Sequence, residues 1–517
     1  MPRRSPRLGI DLGTTRTVVA VADRGNYPVV HFAAPDGDMA DHYPTLSAEV
    51  GGALVHGLEA EAASRAGAPA LRSWKRLLAD HGAGHEVAIG SVRIALLDLA
   101  ADFLRALRLA LAERSNIPAR LARTPDVVVS VPANAHSTQR FVTLEAFRRA
   151  GFAVAAVLNE PSAAGLEYAH RHRRTITARR EHVVVYDLGG GTFDAALVLL
   201  TGEHHDVLFT SGVSRLGGDD FDDVLLALAL DAAGAGGARL GERERASLLA
   251  ECRAAKEGLH PNTRRIALEL GALEPPPSAP VVVAVADFYE RARPLVDRST
   301  EALAPVLRRA AELEGDAAAG GEGLESVAGI YVVGGASGLP LVPRLLRERF
   351  GRLVHRSVYP SAATGIGLAI AAETERPAKL TQRFTRHLGV FREQEGGARI
   401  SFDSIFAPGT PMPASGEPPL LATRSYRAAH NLGFFRFVEC SRLSEDDQPC
   451  GDITPHRSVR FAFAPELRGR EESEELPIVR RDGPGPEVRE RYEVDAAGVV
   501  AVTLSDLDSG YERRFVL

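Results

Sequence analysis

Cysteine, methionine, tryptophan and lysine are all scarce in this sequence of 517 residues. It contains three cysteines, three methionines and one tryptophan. Cys252, Cys440 and Cys450 form neither a Cys-x-x-Cys pair nor a metal-ligand spacing. This pattern excludes a disulfide scaffold and favours a reducing, cytoplasmic location, in which Cys440 and Cys450 are expected to remain thiols.

The sequence also lacks long apolar runs and any large excess of charge. No run approaches the roughly 20 apolar residues that cross a bilayer, and the basic start, MPRRSPRLGIDLG, has no apolar segment typical of a signal peptide. The 61 basic and 67 acidic residues give a net charge of −6. Such a small, well-mixed charge predicts no nucleic-acid partner and no membrane partner.

The composition is that of a globular protein, and its length predicts about three domains. Up to about residue 375, β-branched runs such as 127–131, 183–186 and 330–333 alternate with helical patterns, of which 98–113 is the clearest. This alternation predicts an α/β architecture. We therefore assign residues 1–375 to one α/β portion.

The character of the sequence changes after residue 375. The stretch 376–387 is basic and contains proline, which is typical of a linker, and short runs separated by Pro and Gly follow it. The clearest hairpin pairs 499–504 with 511–517. Residues 388–517 are therefore predicted to form an all-β domain. No helical lid is predicted, because no long helical pattern is found there.

Two segments repeat one motif. LGIDLGTT (8–15) and VVVYDLGGGTFD (183–194) each run a short strand into a glycine-rich turn, with Asp11 or Asp187 at the end of the strand. Exposed backbone amides in such a turn can hold phosphate oxygens, while the carboxylate can hold hydrated magnesium. One copy alone is equally typical of a tight hairpin. Two copies in one chain favour a phosphate-binding site.

Four further segments carry a family resemblance: VPANAHSTQR (131–140), LNEPSAAGLEY (158–168), SRLGGDDFDD (214–223) and VVGGASGLPLVPRLL (332–346). With the two repeated motifs, they resemble the heat-shock chaperones of the seventy-kilodalton class. The resemblance implies an α/β actin-like (ribonuclease-H-like) ATPase domain of two lobes, followed by a β-sandwich that binds extended peptides. It covers the ATPase portion in the right order and is looser over the β portion, where it rests on order, size and residues 492–515.

The resemblance also implies roles for individual residues. The catalytic set would be Lys75, Glu160, Asp187 and Thr192, and the residues around magnesium would be Asp11, Asp187 and Asp194. ATP or ADP would be bound by Gly13, Thr14, Thr15, Gly190, Gly191, Thr192, Gly217, Gly218, Lys256, Gly334 and Gly335. Pro132 and Arg140 would relay the nucleotide state between domains.

The scarcity of lysine supports two of these roles. Only Lys75, Lys256 and Lys379 are lysines, so 58 of the 61 basic residues are arginines. A lysine on a helix is usually a solvated surface residue. In a background so rich in arginine, however, lysine at both family positions favours a working nucleotide site, because an ammonium is a compact point charge and a guanidinium is a larger fork.

Several positions depart from the family pattern. Arg253 replaces a glutamate and His260 a serine near the ribose and base, Gly338 replaces the arginine that stacks on adenine, and Ser361 replaces an aspartate. The phosphate half of the site is retained while the adenosine half has changed, although drift in a divergent paralogue would give the same pattern. The predicted linker is polar, where the family has an apolar run.

The sequence therefore predicts a chaperone-like ATPase that uses ATP and magnesium and binds extended polypeptide segments. A J-domain protein and a nucleotide-exchange factor are its candidate partners. One alternative is a scaffold that binds ATP, hydrolyses it weakly and docks one dedicated partner. A second is a sugar or acetate kinase, or a filament protein, of the actin-like superfamily.

Overall fold

A computed structural model describes most of the chain. The described residues are 7–517 without the short segments 82–83, 119–125, 134, 178, 202–203, 214, 238, 314–323, 325–326, 374–382, 414–415, 457, 472 and 474–475. By their contacts the residues form two compact units, of which the first is Met1–Ala133 with Thr143–Pro377 and the second is Asn134–Val142 with Ala378–Leu517.

This division differs from the predicted one in its treatment of 134–142, which the contacts assign to the second unit. Residues 376–382 of the predicted linker lie outside the described residues. Phe384, also within that predicted linker, is buried in the core of the second unit, where its ring stacks on Phe406 at 5.1 Å between centroids. The domain boundaries at 375 and 388 stay a prediction.

Among the described residues, the α-helices precede residue 374. They are α1 Leu58–Arg65, α2 Leu77–Asp80, α3 Leu96–Glu113, α4 Ser137–Arg149, α5 Glu160–Arg171, α6 Gly218–Ala232, α7 Glu242–Glu257, α8 Val285–Leu313, α9 Leu341–Phe350 and α10 Ala363–Glu373. Helix α4 begins in the second unit and ends in the first.

The strands of the first unit are β1 Arg7–Leu12, β2 Arg16–Val21, β3 Phe32–Ala33, β4 Met39–Ala40, β5 Tyr43–Pro44, β6 Leu46–Val50, β7 Ala53–His56, β8 Ala70–Arg72, β9 Glu86–Ile89, β10 Val92–Ala95, β11 Asp126–Val131, β12 Ala153–Asn159, β13 His182–Leu188, β14 Phe193–Thr201, β15 His204–Val213, β16 Arg265–Leu268, β17 Val281–Ala284, β18 Val327–Val333 and β19 Val354–Arg356.

Two five-stranded sheets organise the first unit. Their strand orders are β12-β11-β1-β2-β5 and β15-β14-β13-β18-β19. In each sheet one strand, β1 or β13, pairs antiparallel with the next strand of the chain and parallel with a later one. The two glycine-rich motifs therefore occupy equivalent places in two similar sheets.

Close packing of small residues joins helix α10 to the first sheet and to α5. A Cβ on Gly367 would lie 1.8 Å from the carbonyl oxygen of Ala163, and a Cβ on Gly9 would lie 2.4 Å from the backbone nitrogen of Ala369. Neither position has room for a side chain. Backbone-to-backbone contact thus fixes α10 against α5 and β1.

The second unit is built from strands. They are β20 His387–Gln394, β21 Arg399–Phe406, β22 Leu420–Arg427, β23 Leu432–Phe435, β24 Phe437–Leu443, β25 Pro449–Pro455, β26 Val459–Ala462, β27 Glu487–Val494, β28 Val500–Asp506 and β29 Glu512–Val516. They form antiparallel sheets ordered β21-β20-β24-β25 and β22-β27-β28-β29, with β23 and β26 paired separately. Beyond residue 383, the described residues show strands and short 3₁₀ turns.

The predicted fold class, an α/β portion followed by a β-rich portion, is confirmed. The predicted terminal hairpin is present, because β28 and β29 pair antiparallel. Cys252, Cys440 and Cys450 are free thiols, as expected. Among the described residues, no helix is both long enough and apolar enough to span a membrane.

A buried carboxylate, Glu439, organises polar groups inside the second unit. Its Oε1 accepts hydrogen bonds from the Ser137 hydroxyl at 2.8 Å and the Ser137 backbone N–H at 3.1 Å, and it lies 3.1 Å from Nε2 of His456. Burial alone would raise the pKa of Glu439, but the contacts with His456, His136 and Ser137 outweigh burial and lower this pKa to about 2.

We expect Glu439→Ala to reduce the free energy of unfolding of the second unit by about 3 kcal/mol or more, since it removes one partner from a buried charged cluster. Glu439→Gln keeps the shape and removes only the charge. Because the folded-state pKa is lowered, the charge contributes stability above the unfolded pKa, and this stability is lost as the pH falls from about 4 towards 2. Urea unfolding of the full chain at pH 7 and pH 3 tests this. If Glu439→Gln lowers the free energy of unfolding by the same amount at pH 7 and at pH 3, the prediction is contradicted.

Candidate functional site

The two glycine-rich motifs meet in the first unit. The turn after β1 holds Thr14 and Thr15, and the turn after β13 holds Gly190. A Cβ on Gly190 would lie 2.5 Å from the hydroxyl oxygen of Thr15, so the two turns are in direct contact. The two motifs are far apart in the sequence but adjacent in space, so their backbone amides can bind one ligand.

The start of helix α6 is attached to the second of these turns. The backbone N–H of Gly218 donates to the carbonyl of Gly189 at 3.0 Å, and that of Asp219 donates to the carbonyl of Gly190 at 2.8 Å. A Cβ on Gly217 would lie 2.5 Å from the backbone nitrogen of Gly191. This contact between backbones requires glycine at position 217.

A third loop, 334–335, lies against the aspartate of the second motif. Gly334 has φ +87°, which favours glycine, and a Cβ there would lie 2.3 Å from Oδ1 of Asp187. Its N–H donates to the carbonyl of Pro360 at 2.8 Å, next to Ser361. Gly335, by contrast, has no protein atom within 4 Å of its Cβ position. These contacts bring Gly334 and Asp187 into one site.

Three partly buried aspartates lie at this junction. Asp187 and Asp194 are paired across the β13–β14 ladder, and Asp11 accepts a hydrogen bond from the Ser130 hydroxyl at 2.7 Å. Burial, assisted by Glu160, raises the pKa of Asp11 to about 6 and that of Asp194 to about 7. Burial also raises the pKa of Asp187 well above its ordinary range, and the neighbouring carboxylates add to this. The site therefore concentrates unneutralised negative charge.

Lys75 places a cation among these carboxylates. It lies in a 3₁₀ turn, Trp74–Arg76, and only 5% of its surface is exposed. Its Nζ donates to Oε1 of Glu160 at 2.9 Å, and Glu160 is the first residue of α5. Burial alone would lower the pKa of Lys75, but Glu160, Asp11 and Asp194 outweigh burial and raise it, so the ammonium stays charged.

A second cationic group surrounds the start of α6. Lys256 Nζ donates to the carbonyl of Gly218 at 2.6 Å and lies 2.5 Å from Oδ1 of Asp222. Arg253 pairs with Oδ2 of Asp222 at 3.1 Å and with Oδ1 of Asp219 at 3.1 Å. Arg76 reaches the other oxygen of Asp219 at 3.4 Å. Position 253 is thus engaged with protein carboxylates.

The sequence analysis does not assign roles to Asp219, Asp222, Arg76 or Ser130. Asp219 and Asp222 belong to the family-like segment 214–223, and Arg76 follows Lys75 directly, so adjacency to predicted site residues is the signal that marks these three. Ser130 had no comparable signal, because its contact with Asp11 spans 119 residues of the chain.

The two residues of the proposed relay fall in different units. Pro132 belongs to the first unit and Arg140 to the second. Arg140 is buried, and its Nη1 donates to the carbonyl of Ala497 at 3.4 Å. Burial lowers the pKa of Arg140 to about 10, which leaves it charged at neutral pH. Their role as a relay stays a prediction.

His260 and Gly338 are two of the positions at which the sequence departs from the family pattern. His260 is exposed, and its backbone N–H donates to Oγ1 of Thr263 at 3.0 Å. A Cβ on Gly338 would lie 3.9 Å from Nη2 of Arg356, an exposed residue at the end of β19. Arg356 thus places a guanidinium beside the position where the family arginine is missing.

The carboxylates fit a hydrated magnesium ion better than one bound directly. Among the described residues, no group of three or more His, Cys, Asp or Glu side chains is arranged as direct ligands of a metal ion. Magnesium retains several waters and commonly uses only one or two carboxylates. The raised pKa values of Asp11, Asp187 and Asp194 indicate a site that a cation would stabilise.

The geometry is that of an α/β domain in which two glycine-rich turns meet, and comparison with known proteins gives its family. The family described as Hsp70 protein matches residues 94–385. The chain belongs to the Hsp70 family.

Several curated relatives are similar to this chain. It is 34% identical over 248 residues, 47% of its length, to the chaperone protein HscA homolog of Bordetella pertussis, and 31% identical over 393 residues, 72% of its length, to that of Pseudomonas putida. The matches cover only 36% and 58% of the lengths of those two relatives. The chaperone protein HscA of Klebsiella pneumoniae is 27% identical over 525 residues, which cover 98% of this chain and 76% of that protein.

Gly217→Ala and Gly335→Ala form a matched pair at this site. The methyl of Gly217→Ala would run into the backbone of Gly191, so we expect it to destabilise the first unit by about 1–3 kcal/mol, the usual cost of overpacking. The methyl of Gly335→Ala enters open space and should change stability by less than about 0.5 kcal/mol. Thermal unfolding without nucleotide compares them. Equal unfolding midpoints would show that the two backbones do not touch at Gly217.

Proposed function

We propose that this chain binds ATP or ADP together with magnesium, hydrolyses ATP slowly, and acts as a chaperone. One observation carries the proposal. The Lys75–Glu160 ion pair lies among three partly buried aspartates where two glycine-rich turns touch. Phosphoryl transfer depends mainly on positioning and on neutralising charge, and this arrangement supplies both kinds of group.

Each part of the site has a proposed task. Backbone amides and hydroxyls of Gly13, Thr14, Thr15, Gly190, Gly191 and Thr192 would hold the β- and γ-phosphates. Asp11, Asp187 and Asp194 would hold magnesium, largely through water, and the ion would offset phosphate charge. Glu160 would orient the attacking water, and Lys75 would hold Glu160 in place and stabilise negative charge that develops on the phosphoryl group.

The second unit is proposed to bind extended polypeptide segments. Its strands β21, β22 and β29 are edge strands, and each carries an exposed apolar side chain: Ile400, Leu421 and Val516, respectively. An edge strand offers unpaired backbone groups to a peptide in extended conformation. A J-domain protein and a nucleotide-exchange factor are proposed as partners, and the cytoplasm as the location.

A weakly hydrolysing scaffold that docks one partner remains a second candidate. It is favoured by Arg253, which replaces a family glutamate and is held by Asp219 and Asp222 rather than left available to the ribose. Membership of the Hsp70 family argues against the sugar-kinase and acetate-kinase alternatives. The hydrolysis rate separates the two candidates that remain.

We expect Lys75→Ala to lower single-turnover ATP hydrolysis by about 100-fold or more, the typical effect of removing one preorganised electrostatic group. The affinity for ATP should fall much less, because the phosphate contacts come mostly from backbone amides. Lys75→Arg serves as the matched control, since it keeps the charge. A guanidinium is larger than an ammonium and would have to enter a position that is 5% exposed, so we expect a loss of at least about tenfold.

Quenched-flow measurement of hydrolysis, with affinities from calorimetry, tests the role of Lys75. Wild-type rates in Lys75→Ala would end that role. A wild-type protein without measurable single-turnover hydrolysis, but with intact nucleotide binding, would favour the scaffold.

The residues proposed to lie near the base predict weak discrimination between ATP and GTP. Gly338 has no side chain to stack on a purine, but the guanidinium of Arg356 is close enough to take that position. Stacking on a purine face contributes on the order of 0.5–2 kcal/mol and does not distinguish adenine from guanine. We therefore expect a preference for ATP over GTP below about 100-fold, which corresponds to about 2.7 kcal/mol.

Calorimetric titration with each nucleotide and magnesium measures this preference. Arg356→Ala should weaken ATP and GTP binding alike. A preference above 100-fold would mean that other residues read the edge of the base, and unchanged affinities in Arg356→Ala would remove Arg356 from the site.

A further inference from the structure

A cavity in the first unit is separate from the proposed nucleotide site. Its volume is about 540 Å³, and it shares no lining residue with the phosphate-binding turns. Four of its lining residues are arginines: Arg174, Arg179 and Arg180 from the segment after α5, and Arg352 from the turn before β19. A volume of this size is in the range of cavities that bind small molecules.

The described lining residues of this cavity include four arginines and no acidic residue. None of its described lining residues is an aspartate or glutamate, and none of the four arginines forms an ion pair with a described carboxylate. Runs of charge on a surface are often only solvated. Here, however, the charges come from two separate segments and converge on one cavity, which focuses their field on its interior.

Hydrogen bonds hold Thr175, Thr177 and Arg180 of the segment that carries three of the arginines. The Thr175 hydroxyl donates to the carbonyl of His172 at 2.8 Å and lies 2.8 Å from the hydroxyl of Tyr168. The backbones of Thr177 and Arg180 bond to each other in both directions, at 3.2 and 2.7 Å. The backbone of Arg180 is therefore positioned before any ligand arrives, which reduces the entropy lost on binding.

Other residues that line the cavity carry polar groups suited to an anion. Thr175 and Thr177 line it, and so does His355, whose ring lies 5.9 Å from that of Tyr168. Hydroxyl groups and guanidinium groups are the side chains that bind phosphate oxygens most effectively, and each guanidinium can donate two parallel hydrogen bonds.

We propose that this cavity binds a small ligand with two or more phosphate groups, held chiefly by Arg174, Arg179, Arg180 and Arg352. Four arginines can serve two phosphate groups with two guanidinium groups each. The ligand would be either a free condensed phosphate or the diphosphate of a nucleotide, and both share the chemistry that the cavity recognises. This site is independent of the proposed ATP site and of its activity.

The test is calorimetric titration with inorganic pyrophosphate and, separately, with ADP, both in EDTA. Without magnesium, the carboxylates Asp11, Asp187 and Asp194 repel phosphate, so the ATP site contributes little. The cavity variant is Arg179→Ala/Arg352→Ala. The matched control, Arg239→Ala/Arg308→Ala, removes the same charge from exposed arginines that do not line the cavity.

We expect the cavity variant to weaken pyrophosphate binding by about tenfold or more for each arginine removed, as for a lost hydrogen bond between charged groups. The control should change it by less than about twofold. A loss seen with ADP alone would identify a nucleotide as the ligand. The proposal is overturned if wild type binds neither probe, or if the cavity variant binds both as wild type does.

The variants should unfold at the wild-type midpoint, because all four changed side chains are exposed. Should the cavity variant be less stable, Arg352→Glu provides a second measurement. It reverses one charge while leaving the segment after α5 intact, and it should weaken pyrophosphate binding more than the control does. Wild-type affinity in Arg352→Glu would also overturn the proposal.

Discussion

The contact between two glycine-rich turns is the constraint on which the first unit depends. It brings the strand-ending aspartates of two sheets together, and buried like charges raise the free energy of the folded chain unless a cation compensates them. Lys75 supplies one such cation from a separate element, and its pKa is raised by the carboxylates that it neutralises. The three aspartates still carry raised pKa values, so the site remains short of positive charge. A shortage of this kind is what a magnesium-dependent phosphate site requires before its ligands arrive.

The parts of this arrangement that depend on local pattern could be predicted from the sequence. The motifs at Asp11 and Asp187 do end strands, and the β-branched runs at 127–131, 183–186 and 330–333 fall in β11, β13 and β18. Such features are readable because strand pairing and turn geometry impose short-range rules on residue type. The glycines follow the same logic, since a Cβ at Gly190 or Gly217 would collide with a neighbouring turn.

Features that depend on long-range contact could not be predicted. Ser130 bonds to Asp11 across 119 residues, and Arg356 approaches Gly338 from another strand. Neither residue type is unusual where it stands, so nothing in the sequence marks it. The membership of 134–142 in the second unit is of the same kind. Its hydrogen bonds to Glu439 depend on a residue about 300 positions away, and a helical pattern alone places that segment with the helix it begins.

The distribution of lysine and arginine now has a physical reason. Lys75 and Lys256 are 5% and 7% exposed, and each ammonium is directed at one carboxylate and, for Lys256, one carbonyl. A guanidinium there would bring five N–H donors into a nearly closed space, and buried donors without partners are costly. Arg76 and Arg253, which are partly exposed, bind opposite oxygens of the Asp219 carboxylate. At these four positions around the site, lysine stands where the side chain is buried and arginine stands where it is partly exposed.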